Sequence, residues 1–211
     1  MDTKYLKLSD DAILNAVKLM ELGEVVLIPS ENTYGFFTNA LMEDSVKKIY
    51  ELKQRDFGKP LGYYTNKVQA ERWGKFDAYS KKILKLWPCP ISIIVPKHSM
   101  VPAHITAGYD SLLLVCPDVT CEKMVNFANY PIACTSANIS GHGPLVRFED
   151  AVDLFAGKVP LIIDGGESTR KANGTIIDFS RETPTILRVG PVSVDEVRGY
   201  IPHVAVADKL I

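Results

Sequence analysis

An α/β fold is predicted for this chain by three features of its sequence. Short apolar runs alternate with segments of helical periodicity, which is typical of a sheet flanked by helices. Two of the runs, Val25–Ile28 and Pro131–Cys134, are apolar throughout, as expected of strands that are buried on both faces. Each of these runs leads directly into polar residues. Because ligands of open α/β sheets bind beyond the carboxyl ends of the strands, we expect these polar residues to face a ligand.

The helices are predicted from capping residues and apolar periodicity. The first begins after Ser9, whose hydroxyl suits an N-cap and which two acids follow, and it ends at Gly23. The other predicted helices cover residues 43–55, 77–87, 119–128, 148–155 and 194–200. The other predicted strands cover residues 61–65, 91–95, 111–115, 159–164, 175–179 and 185–187. No repeat or flexible linker separates these elements, so a single domain over residues 1–211 is predicted.

Charge and composition exclude several classes of protein. The formal net charge of −1 argues against a general binder of polyanions, although residues 43–85 hold eleven Lys or Arg and only six Asp or Glu. The start of the chain shows no apolar signal segment, and no run approaches the length of a membrane span, so a cytoplasmic location is predicted. The four cysteines form no C-x-x-C pair and the four histidines are scattered, so free thiols and no metal site are predicted.

Two sets of residues are candidates for binding an anion. The polar loop that follows the strand at 131–134 could donate hydrogen bonds to phosphate or carboxylate oxygens, or it could be a capped turn that bonds only to itself. Lys53 and Arg55 lie near a helix end, with Lys59 just beyond, and three cations within seven residues are typical of a phosphate clamp. Arg188, at the end of a strand, is a further candidate cation. Common nucleotide and hydrolase motifs are absent from the sequence.

The order of these segments resembles the YrdC/Sua5/YciO family, whose members include threonylcarbamoyl-AMP synthases. The segment at 136–141, Ser-Ala-Asn-Ile-Ser-Gly, matches the family pattern S-A-N-x-S-G throughout, and Leu187–Gly190 matches L-R-x-G. Further segments that are similar to family motifs are residues 29–36, 53–60, 88–92 and 174–178. Together the motifs span about residues 10–200 in one consistent order. The resemblance implies one YrdC-like domain with a twisted, open, mixed sheet, flanking helices and a concave basic face.

The resemblance also implies an activity and a site. The activity is adenylyl transfer from ATP, with Mg²⁺ carried by the nucleotide, and the family reaction forms threonylcarbamoyl-AMP for the t6A modification of tRNA. Lys53 and Arg55 are the implied catalytic residues. The implied nucleotide-binding residues are Lys53, Arg55, Lys59, Ser136, Ala137, Asn138, Ser140 and Arg188. The implied acceptor pocket consists of Ser30, Asn32, Tyr34, Tyr63, Val115, Thr135 and Thr175.

The amino-acid side of the implied site departs from the family pattern. Val115 stands where the family has an Arg that helps to hold the amino-acid substrate, so weak threonine binding or a different acceptor is expected. Lys59 and Arg147 are alternative cations for that role. Two other functions stay open at this point. One is binding of double-stranded RNA or tRNA through the basic segment, and the other is a carbamoyl-transfer domain with another acceptor. The sequence predicts no oligomeric state.

Overall fold

Eleven strands form one sheet in the computed structural model, which describes residues 2–210. The strands are β1 (Lys4–Lys7), β2 (Val26–Pro29), β3 (Tyr34–Asn39), β4 (Gly62–Tyr64), β5 (Ile91–Pro96), β6 (Ser111–Val115), β7 (Ile132–Ser136), β8 (Leu161–Asp164), β9 (Thr175–Asp178), β10 (Thr185–Arg188) and β11 (Ala205–Val206). The helices are α1 (Asp10–Glu21), α2 (Glu43–Lys53), α3 (Ala78–Leu84), α4 (Ala103–Thr106), α5 (Val119–Phe127), α6 (Phe148–Phe155) and α7 (Val194–Tyr200), with a short 3₁₀ helix at Ala70–Arg72.

The sheet is mixed, as the family resemblance implies. The strand order is β1-β8-β2-β3-β7-β4-β6-β5-β9-β10-β11. Strand β3 runs antiparallel to both of its neighbours, β2 and β7, and β4 is antiparallel to β7 but parallel to β6. Strand β9 is parallel to β5 and antiparallel to β10. The predicted α/β class with an open sheet and flanking helices is therefore confirmed.

Local chemistry explains where the first helix begins and ends. The Ser9 hydroxyl accepts a hydrogen bond from the Ala12 amide at 3.1 Å, and acids occupy the first turn. Beyond the helix, Gly23 adopts a φ of +83°, which a residue with a side chain rarely adopts. Both predicted boundaries of this helix hold.

Three strands, β1, β3 and the two-residue β11, were not predicted from the sequence. Strand β1 lies at one end of the sheet beside β8, and β3 lies in the middle between β2 and β7. All six residues of β3 are buried. The predicted loop at 30–35 is in fact a tight turn, in which Ser30 bonds to Thr33 through its amide at 3.1 Å and its hydroxyl at 2.7 Å. The chain then returns at once along β2.

The strands that carry the candidate site are close to their predicted ranges. Strand β7 extends two residues further than predicted. Its pairing with β3 continues from Cys134, which lies opposite Phe37, to Ser136, which lies opposite Gly35. The predicted helix at 77–87 is shorter, ending at Leu84. Within residues 2–210, no helix has both the length and the apolar character needed to span a membrane. That residues 1–211 form a single domain stays a prediction.

Candidate active site

A cleft of about 560 Å³ lies over one face of the central strands. Strands β3, β4, β5, β6, β7, β9 and β10 contribute residues to its wall, and so do the loops that follow β2 and α2. Its floor is apolar and includes the side chains of Phe37, Tyr64, Leu113, Ile94 and Ile176. Such a surface can hold the flat apolar part of a ligand.

The charged residues that line the cleft are all cations. Arg55, Lys59 and Arg188 line it, and no acidic residue within the described range 2–210 does. None of the three forms an ion pair with a carboxylate of that part of the chain. Three cations without counter-ions, in a cleft without acids, favour an anionic ligand. The sequence predicted all three for this role.

Arg55 is held by the loop that it precedes. Helix α2 ends at Lys53, and the capping residue Gln54 adopts a left-handed φ of +49° and so turns the chain sharply. Arg55 then donates from Nη2 to the Pro60 carbonyl at 3.0 Å and from Nε to the Lys59 carbonyl at 3.4 Å. Burial lowers the pKa of Arg55, yet a guanidinium stays charged at any physiological pH. The loop therefore fixes a permanent positive charge at the cleft.

Arg188 is positioned by a close approach between two backbone segments. Its Nε donates to the Gly174 carbonyl at 2.9 Å, and burial lowers its pKa. Two residues later, Gly190 packs so closely that an added Cβ would lie 2.3 Å from the Asn173 carbonyl oxygen. Only glycine fits there. The Gly190 amide also donates to the Thr175 hydroxyl at 2.9 Å, so the family-like pattern L-R-x-G has a structural reason.

Lys53 does not line the cleft, and its direct contact with phosphate stays a prediction. Its side chain is 1% exposed, and its Nζ donates to the Ser136 carbonyl, to the Asn138 carbonyl at 3.0 Å and to the Asn138 Oδ1 at 2.8 Å. These three acceptors use all three of its N–H groups. Burial, and then the nearby charge of Arg55, lower its pKa to about 7. Lys53 therefore supports the loop after β7.

The loop after β7 is an internally bonded unit that presents one predicted side chain to the cleft. Ser136 lines the cleft and donates from its hydroxyl to the Asn138 Oδ1 at 2.7 Å. Asn138 is buried and donates from Nδ2 to the carbonyls of Ile139 and His142. Ala137, Asn138 and Ser140 do not line the cleft. Their contact with nucleotide stays a prediction, while the hydrogen bonds of Asn138 and of the Ser140 amide support the loop.

The predicted acceptor pocket divides into two groups. Ser30, Asn32, Val115 and Thr135 line the cleft as predicted. Tyr34, Tyr63 and Thr175 do not. Adjacent side chains of a strand point to opposite faces, so the neighbours of these three residues line the cleft in their place. Those neighbours are Gly35, Gly62, Tyr64, Gly174 and Ile176.

Each residue that faces away from the cleft has another environment. The Tyr34 hydroxyl donates to the Gly166 carbonyl at 2.8 Å, and burial raises its pKa to about 12. Tyr63 packs edge-on against Trp73 with ring centroids 5.6 Å apart. Its hydroxyl is buried without a hydrogen-bond partner in residues 2–210, and burial raises its pKa. The Thr175 hydroxyl donates to the Val192 carbonyl at 2.7 Å. Their assignment to the acceptor pocket stays a prediction.

A charged cluster beside Asn32 was missed by the sequence analysis. Arg170 donates from Nη1 to the Asn32 Oδ1 at 3.2 Å and to the Pro117 carbonyl at 3.1 Å, and its Nη2 lies 2.6 Å from the Glu31 carboxylate. On the other side, the Asp118 carboxylate accepts a hydrogen bond from the Glu31 amide at 2.7 Å. Burial raises the pKa of Asp118. This cluster clamps the turn after β2 at the edge of the cleft.

The chain provides no cage of protein ligands for a metal ion in the part that the structure describes. No group of three or more His, Cys, Asp or Glu side chains within residues 2–210 is arranged to hold one. Because the cleft is lined by cations, a divalent ion would have to arrive with the phosphates of its ligand.

Comparison with known proteins agrees with this geometry. A family model named Sua5_yciO_yrdC and described as "Telomere recombination" matches residues 18–190. A threonylcarbamoyl-AMP synthase of Pyrococcus abyssi is 33% identical over 188 residues, which cover 87% of this chain and 55% of that protein. The chain thus spans about half the length of that relative.

Two solved structures share the fold. P. abyssi Sua5 in complex with L-threonine is 31% identical with a TM-score of 0.88, and the match covers 98% of this chain and 62% of that one. YciO of E. coli has a TM-score of 0.83 at 18% identity, over 92% of this chain and 99% of that one, so it supports the fold alone. By sequence and by fold, the chain belongs to the Sua5/YciO/YrdC family.

Proposed function

We propose that this chain is an ATP-dependent adenylyltransferase that converts L-threonine, bicarbonate and ATP to threonylcarbamoyl-AMP and pyrophosphate. The observation that carries the proposal is the cleft whose only charged lining residues within the described range are the unpaired cations Arg55, Lys59 and Arg188. Related proteins that bear the name threonylcarbamoyl-AMP synthase, and a relative solved with L-threonine, support the choice of substrate. The product would serve the t6A modification of tRNA.

The proposed chemistry proceeds in two steps. The amine of threonine adds to bicarbonate with loss of water and gives a carbamate. A carbamate oxygen then attacks the α-phosphate of ATP and expels pyrophosphate. The second step builds negative charge on the transferring and leaving phosphates, which fixed cations stabilise. It also requires both reactants to be held in line.

The residues of the cleft fit these requirements. Arg55, Lys59 and Arg188 would contact the phosphates, and Mg²⁺ bound to the nucleotide would share that charge. The Ser136 hydroxyl, with the loop that Lys53 and Asn138 hold, would border the nucleotide. The apolar floor would accept its flat base. On the acceptor side, Ser30, Asn32 and Thr135 would contribute hydrogen-bonding groups to the amino acid.

Two measurements on the purified chain test the proposal. ATP binding is measured by calorimetry, and pyrophosphate release is measured across a panel of amino acids with and without bicarbonate. We expect release to require bicarbonate and to be greatest with threonine. The matched control is Lys47→Ala, which removes an exposed lysine paired with Glu43 and should leave both signals unchanged. Absence of ATP binding, or release that does not depend on the amino acid, would contradict the proposal.

A further inference from the structure

We propose that Arg170 is a positioning residue that fixes the Asn32 amide so that it binds the carboxylate of the amino-acid substrate. The inference rests on the proposed function and extends it to how the acceptor is recognised. In this chain Val115 faces the cleft without a charge, so any cation for the carboxylate has to come from another segment. Arg170 approaches from the loop between β8 and β9.

The orientation of the Asn32 amide follows from its partner. A guanidinium can only donate hydrogen bonds, so the atom of Asn32 that lies 3.2 Å from Arg170 Nη1 must be the oxygen. The nitrogen, Nδ2, therefore points the other way. Asn32 is buried and lines the cleft, yet Nδ2 has no hydrogen-bond partner within residues 2–210 and is not enclosed by protein. It presents two N–H donors to the cleft.

The Asn32 Nδ2 lies beside a backbone segment that has no side chain. Nδ2 lies 3.3 Å from the point where a Cβ on Gly174 would be, and Arg188 bonds to the Gly174 carbonyl at 2.9 Å. A Cβ at Gly174 would also lie 2.9 Å from the Pro90 carbonyl oxygen, so only a residue without a side chain fits beside the amide. Behind Asn32, the Arg170 guanidinium, which is also paired with Glu31, donates to the amide oxygen and so polarises the amide toward donation from Nδ2. A carboxylate is small enough to use these donors.

Arg170 is itself held in place. Its amide donates to the Glu31 carbonyl at 2.8 Å and its guanidinium pairs with the Glu31 carboxylate. The side chain is 28% exposed, so it is partly shielded from solvent. Removal of the Arg170 side chain should weaken threonine binding, whereas the apolar floor and Arg55 should still bind ATP. A purely structural role would instead affect both substrates.

Arg170→Ala is the first test, in the whole chain with ATP present. We expect KM for threonine to rise roughly 10- to 100-fold, which corresponds to the loss of one charge-assisted hydrogen bond. The kcat and the KM for ATP should change little. Val115→Arg in the same variant should restore part of the threonine affinity. L-Threoninamide, which lacks the carboxylate charge, should bind the wild type and Arg170→Ala equally.

Asn32→Asp is the second test, because it keeps an acceptor for Arg170 and replaces the Nδ2 donor by an oxygen. The Asn32→Asp variant should fold, and its affinity for threonine should be lower than that of the wild type. Asn173→Asp adds the same charge to the cleft wall at a residue that is not a hydrogen-bond partner of Arg170, and threonine affinity should fall less. Equal losses in the two aspartate variants, or an equal loss of threoninamide affinity in Arg170→Ala, would overturn the inference.

The two proposals fail in different ways. A wild-type chain that binds no threonine overturns the proposed function and this inference together. If the wild type binds threonine and Arg170→Ala binds it as tightly, only the inference is overturned. A loss of ATP affinity as large as the loss of threonine affinity would assign the Asn32 donors to phosphate, and it would also overturn the inference.

Discussion

The ammonium group of Lys53 donates to both the backbone carbonyl and the side-chain oxygen of Asn138, at 3.0 and 2.8 Å. The two residues are 85 positions apart in the sequence, and their contact joins the end of α2 to the loop after β7. In return, the Lys53 carbonyl accepts a hydrogen bond from the Ser140 amide at 2.7 Å. The cation at Lys53 therefore holds the loop in shape, and Arg55, two residues later, lines the cleft.

The stability of the fold should depend on pH through Lys53. In the unfolded chain this lysine keeps its proton up to a pKa of 10.5, whereas burial lowers the folded pKa to about 7. Between these values the unfolded state binds more protons, so the free energy of unfolding should rise with pH across the window. Below this pH window Lys53 is protonated in both the folded and the unfolded state, so it no longer makes the free energy of unfolding depend on pH.

Urea unfolding isolates this effect when the wild type and Lys53→Met are compared between roughly pH 6 and pH 10. The wild type should gain stability relative to the variant as the pH rises. A difference that is constant with pH would mean that the three acceptors around Nζ keep the ammonium charged in the folded state.

Arg55→Ala should weaken ATP binding without unfolding the protein. The arginine lines the cleft and bonds only to nearby carbonyls of its own loop. Loss of a charge-assisted contact to phosphate costs roughly 1.5–3 kcal/mol. Calorimetry with ATP and a melting curve measure the two quantities. An unchanged ATP affinity would remove Arg55 from the phosphate site.

Gly190→Ala should destabilise the fold and disturb Arg188. The new methyl group would lie 2.3 Å from the Asn173 carbonyl oxygen and 2.7 Å from the Thr175 nitrogen. Overpacking of this kind costs about 1–3 kcal/mol. The matched control is Gly199→Ala in α7, where an added Cβ meets no atom within 4 Å and helix propensity favours alanine by about 1 kcal/mol. Urea unfolding should separate the two variants in sign, and equal effects would contradict the account of the L-R-x-G segment.

Duplex RNA should bind weakly and with a shallow dependence on salt. The segment 43–85 is locally basic, but the whole chain has a formal net charge of −1. Binding through many phosphate contacts would give a steep fall of affinity with salt. Titration of a labelled duplex at several salt concentrations measures the slope. Submicromolar affinity at physiological salt would favour an RNA-binding function instead.

Two short helices were predicted well from the sequence. The ranges of α6 and α7 agree with prediction residue for residue, and Ser193 and Glu196 form a capping box at the start of α7. Strand β3 was missed because four polar residues precede it, and the tight turn that they form is closed by Ser30.

The direction of side chains was harder to predict than the elements themselves. The face to which a strand residue points follows from polar and apolar alternation, and central strands such as β4 and β9 are buried on both faces, so they carry no such pattern. The sequence therefore does not indicate to which face the Tyr63 and Thr175 side chains point. Arg170 contacts Asn32 across 138 positions from an irregular loop, where no periodic pattern indicates a partner.

The central claim is that the cation-lined cleft makes an adenylate from threonine and bicarbonate. The most direct measurement incubates the chain with ATP, L-threonine and ¹³C-labelled bicarbonate and analyses the products by mass spectrometry. The account predicts threonylcarbamoyl-AMP that carries the label, with release of pyrophosphate, and a much smaller yield from Arg55→Ala. ATP binding without any labelled adenylate, for threonine or for any other amino acid in the panel, would contradict it.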